Sequence, residues 1–416
     1  MTSSTATMRR LSNRHFTALL SMMMALVALA IDLMLPAFDQ IRADLGLAAD
    51  SPRVAQIITV FFIGMALAQY IYGPLADRFG RKPVLYAGFA VYALGALGSL
   101  LAPNLEILLA SRFVWGVGAA SARVISVSVV RDYYSGDQMS RAMSYIMAVF
   151  VTVPVLAPSI GAALIRVFPW QSVFAFCLLF VAVIAIWARV LPETLAEENR
   201  RAIDGRAIWA ATREVLTNRV TIGYTFAMTA IFSVFTSYLA SSERIFGDFY
   251  GKPDEFPLIF GGIAAVMGVA MLANAQLVER VGTRRLCHIV LIGYLIASAV
   301  LMGITISVGG KLGFWPFVIG LSVLVVFHSL LVPNLNTIAM LEMGHIAGTA
   351  SAVIGTISLA VGAFFGSLID RTYTDSALPL IIAFVGFGVV AMAVVLWAER
   401  GRLVVPPIAA VTSLDS

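Results

Sequence analysis

The sequence predicts an all-α membrane protein in which twelve transmembrane helices form two pseudo-symmetric six-helix halves. Composition, the number of apolar segments and an internal repeat support this fold class. Only 12% of the 416 residues are Asp, Glu, Lys or Arg, whereas a soluble chain carries about 25%. Hydrophobic residues make up 60%, and the mean hydropathy is +0.91. These values nearly exclude secreted, nucleic-acid-binding and cytosolic-enzyme classes, and we expect no cofactor, no metal and no nucleic-acid partner.

Twelve continuous apolar segments are long enough to cross a bilayer, which takes about 20 residues per helix. They lie near residues 15–38, 53–74, 83–102, 105–130, 140–165, 171–191, 219–241, 256–278, 286–308, 313–339, 347–369 and 377–398. The alternation typical of a membrane β-barrel is missing, so we predict helices, which satisfy every backbone polar group internally. The first segment is too long for a signal-peptide core and lacks a small-residue cleavage site. We interpret it as an uncleaved first span.

The Lys and Arg residues are divided unequally between the two sides of the membrane. Of the 28, 19 fall on the side of the chain termini and 7 on the opposite side, while Arg112 and Arg123 lie inside the fourth span. Cytoplasmic loops carry the excess of Lys and Arg in membrane proteins. We therefore predict a multi-pass protein of the cell inner (plasma) membrane with both termini in the cytoplasm.

A polar stretch and a repeat divide the chain. The longest polar stretch follows the sixth span, so we expect a first bundle at residues 1–191, a cytoplasmic linker at 192–218, a second bundle at 219–399 and a tail at 400–416. Five residues of the loop after the second span recur 202 positions later, after the eighth span: Leu75, Asp77, Arg78, Gly80 and Lys82 correspond to Leu277, Glu279, Arg280, Gly282 and Arg284. Such halves are typical of secondary transporters whose site lies between them at the bilayer midplane.

Part of the linker has the periodicity of an amphipathic helix. Trp209, Thr212 and Val215 recur at helical spacing, which predicts a helix lying on the membrane surface. A solvated linker is the alternative that the same residues leave open.

The segment between the second and third spans concentrates glycine and charge. Glycine in so short a turn indicates positive φ or close backbone approach. Asp77 is the acid in a basic cluster, well placed to pair with Arg131 at the end of the fourth span or to face a helix N-terminus. The segment predicts either a latch that holds the halves together in one conformation or a capped tight turn. Its residues are Gly73, Asp77, Arg78, Gly80, Arg81, Lys82 and, from the fourth span, Arg131.

This segment resembles the cytoplasmic signature of the major facilitator superfamily, which it matches at Gly73, Leu75, Asp77, Arg78, Gly80, Arg81 and Lys82. Two further segments resemble motifs of proton-coupled drug antiporters: Leu108, Arg112, Gly116, Gly118, Ala119 and Ala120 in the fourth span, and residues 157–162 in the fifth. Residues 31–36, 130–134 and 347–352 are similar to the Bcr/CflA branch of multidrug efflux transporters. The resemblance implies proton-coupled export. It departs at Trp115, where the motif usually has Gln, and at Ala157 and Ala162, which replace glycines.

Three charged residues lie deep inside predicted spans. Asp32 is about 9 Å below the outer end of the first span, Arg112 about 12 Å below the outer end of the fourth, and Arg123 about 12 Å from its cytoplasmic end. Each costs on the order of 2.5–3.5 kcal/mol to insert, so we expect it to face water, substrate or another charge. Snorkelling toward an interface is the alternative for the two arginines.

The equal depth of Asp32 and Arg112 allows these side chains to pair across the cavity of the first half. Burial favours a neutral carboxyl and a nearby arginine favours the carboxylate, so opening and closing the cavity would change the proton affinity of Asp32. We therefore predict that Asp32 carries the coupling proton, that Arg112 modulates it, and that Arg123 contributes a charge to the cavity.

The fifth span contains the helix breakers Pro154 and Pro158 together with Gly161. Prolines remove backbone hydrogen bonds and bend a helix. The resemblance implies a direction-setting and leak-sealing element here. A kinked packing helix without a specific role is the alternative.

The second half has no charge clearly deep in a span. Its candidate polar site is His328, Asn334 and Asn336, and a hydrogen-bonded packing role is the alternative for the histidine. Soft and aromatic residues on the first and seventh spans predict an adaptable lipophilic pocket or ordinary helix packing. These residues are Met24, Met228, Phe232, Phe235 and Tyr238.

The leading hypothesis is a secondary active transporter that exports lipophilic or amphipathic drugs from the cytoplasm in exchange for protons by alternating access. An exporter of one metabolite, such as an amino-acid derivative, siderophore or sugar, is the nearest alternative because a fold does not fix a substrate. A membrane sensor or scaffold without transport is a third. An enzyme is not expected, since the sequence has no nucleotide-binding loop and no nucleophile with an arranged base. The expected partners are a small-molecule substrate, protons and the lipid bilayer, and the expected state is a monomer.

Overall fold

The computed structural model describes residues 13–48, 51–134, 136–200, 203–372 and 376–403. Arg9, Arg10 and the predicted tail beyond residue 403 lie outside the described residues. Short 3-10 helices and turns connect fourteen α-helices: α1 (Asn13–Asp32), α2 (Phe38–Asp44), α3 (Gln56–Phe79), α4 (Arg81–Leu100), α5 (Leu105–Tyr133), α6 (Gly136–Val167), α7 (Ser172–Trp187), α8 (Gly205–Thr217), α9 (Arg219–Arg244), α10 (Phe256–Val281), α11 (Thr283–Ser307), α12 (Phe314–Met340), α13 (Ala347–Arg371) and α14 (Leu378–Ala398).

Twelve helical spans in the described part of the chain are long and apolar enough to cross a bilayer, and each overlaps one of the predicted segments. The twelve-helix membrane fold is therefore confirmed. Helices α1 and α2 together form the first span, and α8 is the additional helix between the sixth and seventh spans. We call α1 to α7 the first half, α9 to α14 the second half, the end of the bundle at Gly80 the basic end, and the opposite end the far end.

Reciprocal glycines interlock α3 and α5 in the first half. A Cβ atom at Gly64 would overlap the carbonyl oxygen of Phe113, and one at Gly116 would overlap the carbonyl oxygen of Phe61. The two helices therefore pack backbone against backbone, as small residues allow in membrane proteins. This contact fixes α5, which carries Arg112 and Arg123.

In the second half, α9 packs along α13 and α14. Gly362 of α13 makes room for Phe232, and its carbonyl oxygen accepts a hydrogen bond from the Thr236 hydroxyl at 3.1 Å. The close approach of these helices fixes α9, which borders the first half.

The largest contacts between the halves are those of α3 with α13 and of α6 with α10. The Thr356 hydroxyl of α13 donates to the Ala66 carbonyl oxygen of α3 at 2.7 Å. In the other pair, a Cβ atom at Gly261 of α10 would approach the carbonyl oxygen of Val155 to 2.6 Å. Pro154 and Pro158 thus lie on a helix that touches the other half.

Gly261→Ala is expected to destabilise the protein, whereas Gly262→Ala is not. A methyl group at Gly261 would meet the backbone of α6, which cannot rotate away, and overpacking of this kind costs about 1–3 kcal/mol. Gly262 has no atom within 4 Å of the position a Cβ would take, so the higher helix propensity of alanine leaves stability equal or greater there. Thermal unfolding of the purified variants, followed by tryptophan fluorescence, measures the difference. Equal unfolding temperatures would contradict the close contact of α6 with α10.

The turn between the second and third spans is shorter than predicted. Gly73 and Asp77 lie inside α3, and Gly73 has no close neighbour that would require glycine. Only Gly80, with φ of 98°, breaks the helix. The prediction that Gly73 belongs to the turn is therefore wrong, because Pro74, which follows it, is accommodated within α3.

The linker contains the helix that its periodicity predicts. Asp204 caps α8 by accepting hydrogen bonds from the backbone amides of Arg206 and Ala207. Val215 is buried, while Trp209 is 66% exposed. The Thr212 hydroxyl lies 2.7 Å from the hydroxyl of Tyr70 in the first half, and α8 also packs against α13 of the second half. The linker helix therefore touches both halves.

Candidate functional site

Asp32 is the last residue of α1, at a break in the first span. The chain continues through a turn and a short 3-10 helix into α2. Pro36 explains the break, because its ring removes a backbone donor and clashes with the carbonyl four residues earlier, which is that of Asp32. Irregular backbone at membrane depth is tolerated only inside protein or along a cavity. Asp32 is 4% exposed, so its carboxyl lies inside the protein and not against lipid.

Arg112 does not pair with Asp32, contrary to the prediction from their equal depth. Its Nη2 donates to the Ala30 carbonyl oxygen at 2.9 Å, and its guanidinium lies over the rings of Phe61 and Trp115, 4.5 and 4.6 Å from their centroids. Carbonyl groups in the last turn of a helix lack an intrahelical hydrogen-bond donor. Arg112 supplies that donor to the Ala30 carbonyl in the last turn of α1. Depth along a helix does not fix the rotation of the helix, and α5 is rotated so that Arg112 meets backbone.

Trp115 occupies the position where the antiporter motif usually has Gln. Its ring is fully buried, contacts Tyr92 and Phe174 edge to face, and provides one of the two aromatic faces over which Arg112 lies. A cation–π contact therefore stands where the family pattern would lead one to expect a hydrogen-bonding side chain.

Asp32 borders both halves. Tyr238 of α9 is close enough to interact electrostatically with the Asp32 carboxyl, and within the described ranges no Lys, Arg or His pairs with that carboxyl. The Tyr238 hydroxyl is buried and has no hydrogen-bond partner among the described residues. On the other side, Gly161 lets α6 approach the carbonyl oxygen of Leu33, which a Cβ would overlap. The break in α1 is thus flanked by α6 of its own half and α9 of the other.

The predicted pocket residues of α9 form an aromatic surface toward neighbouring helices. Phe232 meets Phe62 of the first half with ring centroids 5.6 Å apart, and Phe235 stacks on His328 at 4.3 Å. Met24 and Met228 are buried, at 4% and 6% exposure. A substrate pocket at this border stays a prediction.

The polar residues of α12 do not form one site. His328 is buried against Phe235. Asn334 donates to the Asn274 side chain and to the Leu330 carbonyl oxygen, each at 2.8 Å, and so ties α12 to α10. Asn336 is exposed. The three side chains have different surroundings, which favours packing roles for His328 and Asn334.

One buried ion pair joins the halves at the far end, and a second lies beside it within the second half. Arg42 of α2, 3% exposed, binds Glu243 of α9 at 2.5 Å and also contacts Asp39. Beside them, Arg244 binds Asp370 of α13 at 2.6 Å. Sequence reasoning missed these pairs because the predicted spans ended before them and left them to loops. In the structure the Arg42–Glu243 pair links the two halves at the far end.

One group of acids at the far end is close enough to hold a metal ion. The carboxylates of Asp39, Glu243 and Asp248 lie within 4.8 Å of one another. Arg42 contacts two of these three acids, so the protein already supplies a positive charge at this point.

At the basic end, a cavity of about 690 Å³ opens between the halves. Arg131 and Asp77 line it from the first half, and Gly344, Ala347 and Gly348 line it from the second. The far end is therefore closed in this conformation and the basic end open.

The predicted pair of Asp77 with Arg131 is not present in this conformation. Asp77 binds Arg81 at 2.6 Å, and Arg81 binds Asp132 at 2.9 Å. Arg131 and Arg78 are exposed. These ion pairs lie within the first half, so the described residues of the cluster do not hold the two halves together here.

Glu193, just after the sixth span, caps the turn at Gly80. The backbone amides of Arg81 and Lys82 donate to its carboxylate at 2.9 and 3.0 Å, at the N-terminus of α4. In the second half, Glu399 after the last span binds the side chain of Arg284, near the corresponding glycine turn, at 3.2 Å. Sequence reasoning missed both acids, which lie over 100 residues from the turns they contact, although their place after the last span of each half extends the internal repeat.

Twelve spans in two similar halves, with a cavity between them and an acid at their border, define a membrane transporter of the secondary type. A family model described as Major Facilitator Superfamily matches residues 20–367. The chain belongs to this superfamily, whose members are transporters and not enzymes.

Relatives support the expected branch. The chain is 31% identical over 368 residues to a bicyclomycin resistance protein homolog of Haemophilus influenzae, covering 88% of this chain and 91% of the relative. It is 29% identical over 246 residues to the multidrug resistance protein MdtL of Escherichia fergusonii, covering 59% of this chain and 61% of that protein. The resemblance to Bcr/CflA-type proteins is thereby confirmed. A solved structure, the xylose transporter XylE from E. coli, matches with a TM-score of 0.69 and 13% identity over 92% of this chain and 97% of XylE, which shows the fold alone.

Proposed function

We propose that this protein exports lipophilic or amphipathic drugs from the cytoplasm in exchange for protons. The observation that carries the proposal is the position of Asp32, a carboxyl buried at the break of α1, between both halves and without a positive partner. The relatives named for resistance to bicyclomycin and to multiple drugs support export of drugs.

In this proposal the basic end faces the cytoplasm, in accordance with the excess of Lys and Arg there. The structure then corresponds to an inward-facing state of an alternating-access cycle, with residues 1–191 and 219–399 as the moving bundles. The protein acts as a monomer, with one cavity between its halves.

Burying an unpaired charge inside a protein has a high free-energy cost. The inward-facing state, in which Asp32 is buried, therefore favours the protonated, neutral carboxyl group. Opening of the far end would hydrate Asp32, and the two states would then differ in their preference for the proton. Such a difference is what allows a proton gradient to drive a conformational cycle. Arg112 acts indirectly by fixing the backbone just before Asp32.

Expression in a host that lacks its own drug pumps tests the proposal. Resistance and pH-dependent efflux are measured across a chemically diverse panel. Mutual competition among unrelated compounds would support drug export. Strict competition by one compound would favour a metabolite exporter instead, and the lack of any proton flux in proteoliposomes on addition of the panel would indicate a protein without transport.

A further inference from the structure

We propose that the cavity open at the basic end continues inward along α5 to Arg123, and that this positive charge selects substrates with one negative charge on an apolar body, such as carboxylates, sulfonates or phenolates. This inference rests on the proposed export function and specifies its substrate class. The residue that recognises the negative charge is Arg123 of α5.

Arg123 faces away from the lipid side of its helix. An α-helix has 3.6 residues per turn, so Arg112 and Arg123, which are 11 residues apart, differ by only about 20° around α5. Ile107 and Val114 mark the lipid side, with 45% and 39% exposure near the closed far end. By the same geometry Arg123 lies roughly 160–180° from them.

On this face of α5 the exposed side chains lie toward the basic end. Arg112 is fully buried, whereas Arg123 is exposed and Val127, one turn further, is 41% exposed. Arg131, another turn along, lines the cavity. An accessible side chain opposite the lipid side, between the buried Arg112 and the cavity-lining Arg131, supports an inward continuation of the cavity to Arg123.

The charge of Arg123 is not balanced by an acid. Within the described residues no carboxylate forms an ion pair with it, and Asp32, the remaining deep acid, is buried and is not paired with it.

The mouth of the cavity is electrically balanced. Its lining has three acids and three bases: Asp77, Asp132 and Glu198 with Arg81, Arg131 and Arg200. This lining therefore favours neither sign of charge, and in our proposal Arg123 supplies the net charge further in.

This arrangement discriminates between substrates by charge. An anion gains charge-assisted hydrogen bonds from the guanidinium, which presents two parallel donors to a carboxylate or sulfonate. A cation would lie near an unpaired positive charge in surroundings of low dielectric constant.

Three fluorescent probes test the inference. 1-Anilinonaphthalene-8-sulfonate and N-phenyl-1-naphthylamine share a skeleton and differ by the sulfonate, and ethidium is a cation. Initial rates of uptake into energised everted vesicles are measured for the wild-type protein, Arg123→Met, Arg123→Lys and Val127→Ala. The last variant is the control, since it alters the same accessible face without a change of charge. Size-exclusion profiles of the purified variants check folding.

We expect the wild-type protein to transport the sulfonate faster than ethidium. Loss of a charge-assisted hydrogen bond corresponds to about a tenfold or larger effect, so Arg123→Met should lower the sulfonate rate by at least about tenfold and the neutral probe by less than about twofold. Arg123→Lys should retain most of the sulfonate rate, and Val127→Ala should leave the sulfonate-to-neutral ratio unchanged.

Two results would overturn the inference while leaving export intact: faster transport of ethidium than of the sulfonate by the wild-type protein, or an equal loss of both naphthalene probes in Arg123→Met. Transport of none of the three probes by the wild-type protein would instead contradict the proposed function, and the inference would fall with it.

Discussion

Asp32→Asn is expected to abolish uphill, proton-driven efflux while the protein remains expressed and folded. Asparagine has nearly the shape of aspartic acid but cannot bind and release a proton. One proton moving inward through about 100 mV supplies about 2.3 kcal/mol, which corresponds to about a 50-fold concentration ratio of exported drug. The variant should lose this ratio, as measured by drug accumulation in energised everted vesicles.

The same variant should still exchange drug for drug. Counterflow across an unenergised membrane needs the conformational change but no net proton movement, and Asp32→Asn leaves the break in α1 unchanged because Pro36 causes it. Asp32→Glu, which retains a carboxyl at the end of α1, serves as the matched variant and should keep part of the uphill transport. Undiminished uphill efflux by Asp32→Asn would remove Asp32 from the coupling mechanism.

The sequence predicts those features that depend only on residues close together in the chain. The twelve spans follow from apolar segments. Asp32 can be selected as a functional residue because placing a carboxyl group inside a membrane span has a high free-energy cost. The helix break at Asp32 was also within reach, since Pro36 lies four residues after it and disrupts that carbonyl. Pro36 thus marks the end of α1 in the sequence itself.

Other parts of the site depend on the rotation and pairing of helices, which local patterns do not contain. Equal depth suggested that Arg112 meets Asp32, but the rotation of α5 directs it to the Ala30 carbonyl oxygen. Charged residues near span ends, such as Arg42 and Glu243, look like ordinary loop residues until the fold shows that they are buried against each other.

Helix capping by residues that are distant in the sequence could not be predicted either. Glu193 lies in a polar segment where an acidic residue is common, and the fold brings it to the N-terminus of α4. The internal repeat offered a clue, since an acid follows the last span of each half, but the spacing of Glu193 and Glu399 differs slightly from that of the turns they contact.

Arg42→Met is expected to open the far end of the protein. The substitution leaves Glu243 buried and without its partner across the halves, and loss of one member of a buried ion pair costs about 3–5 kcal/mol. Opening hydrates the carboxylate and relieves this penalty, which is large enough to shift a two-state equilibrium by about 100-fold or more. The variant should therefore populate an outward-open form that the wild-type protein populates little.

Spin labels at Ala48→Cys and Lys311→Cys report this change. Both positions are exposed at the far end, one in each half, while the native Cys177 and Cys287 are buried and should not react. Double electron–electron resonance should show a longer distance between the labels in Arg42→Met than in the unmodified background.

Arg53→Met is the matched control, because Arg53 pairs with Glu106 at 2.9 Å within the first half and both side chains are at least half exposed. Exposed pairs of this kind contribute about 0–1 kcal/mol to stability, so the distance between the spin labels should stay unchanged.

In the double variant Arg42→Met with Glu243→Met, both charges are gone, and apolar replacement of a whole buried pair is often neutral for stability. The double variant should therefore return toward the closed distance. If Arg42→Met shifts the distance no more than Arg53→Met, or if the double variant is as open as the single one, the Arg42–Glu243 pair does not hold the far end closed.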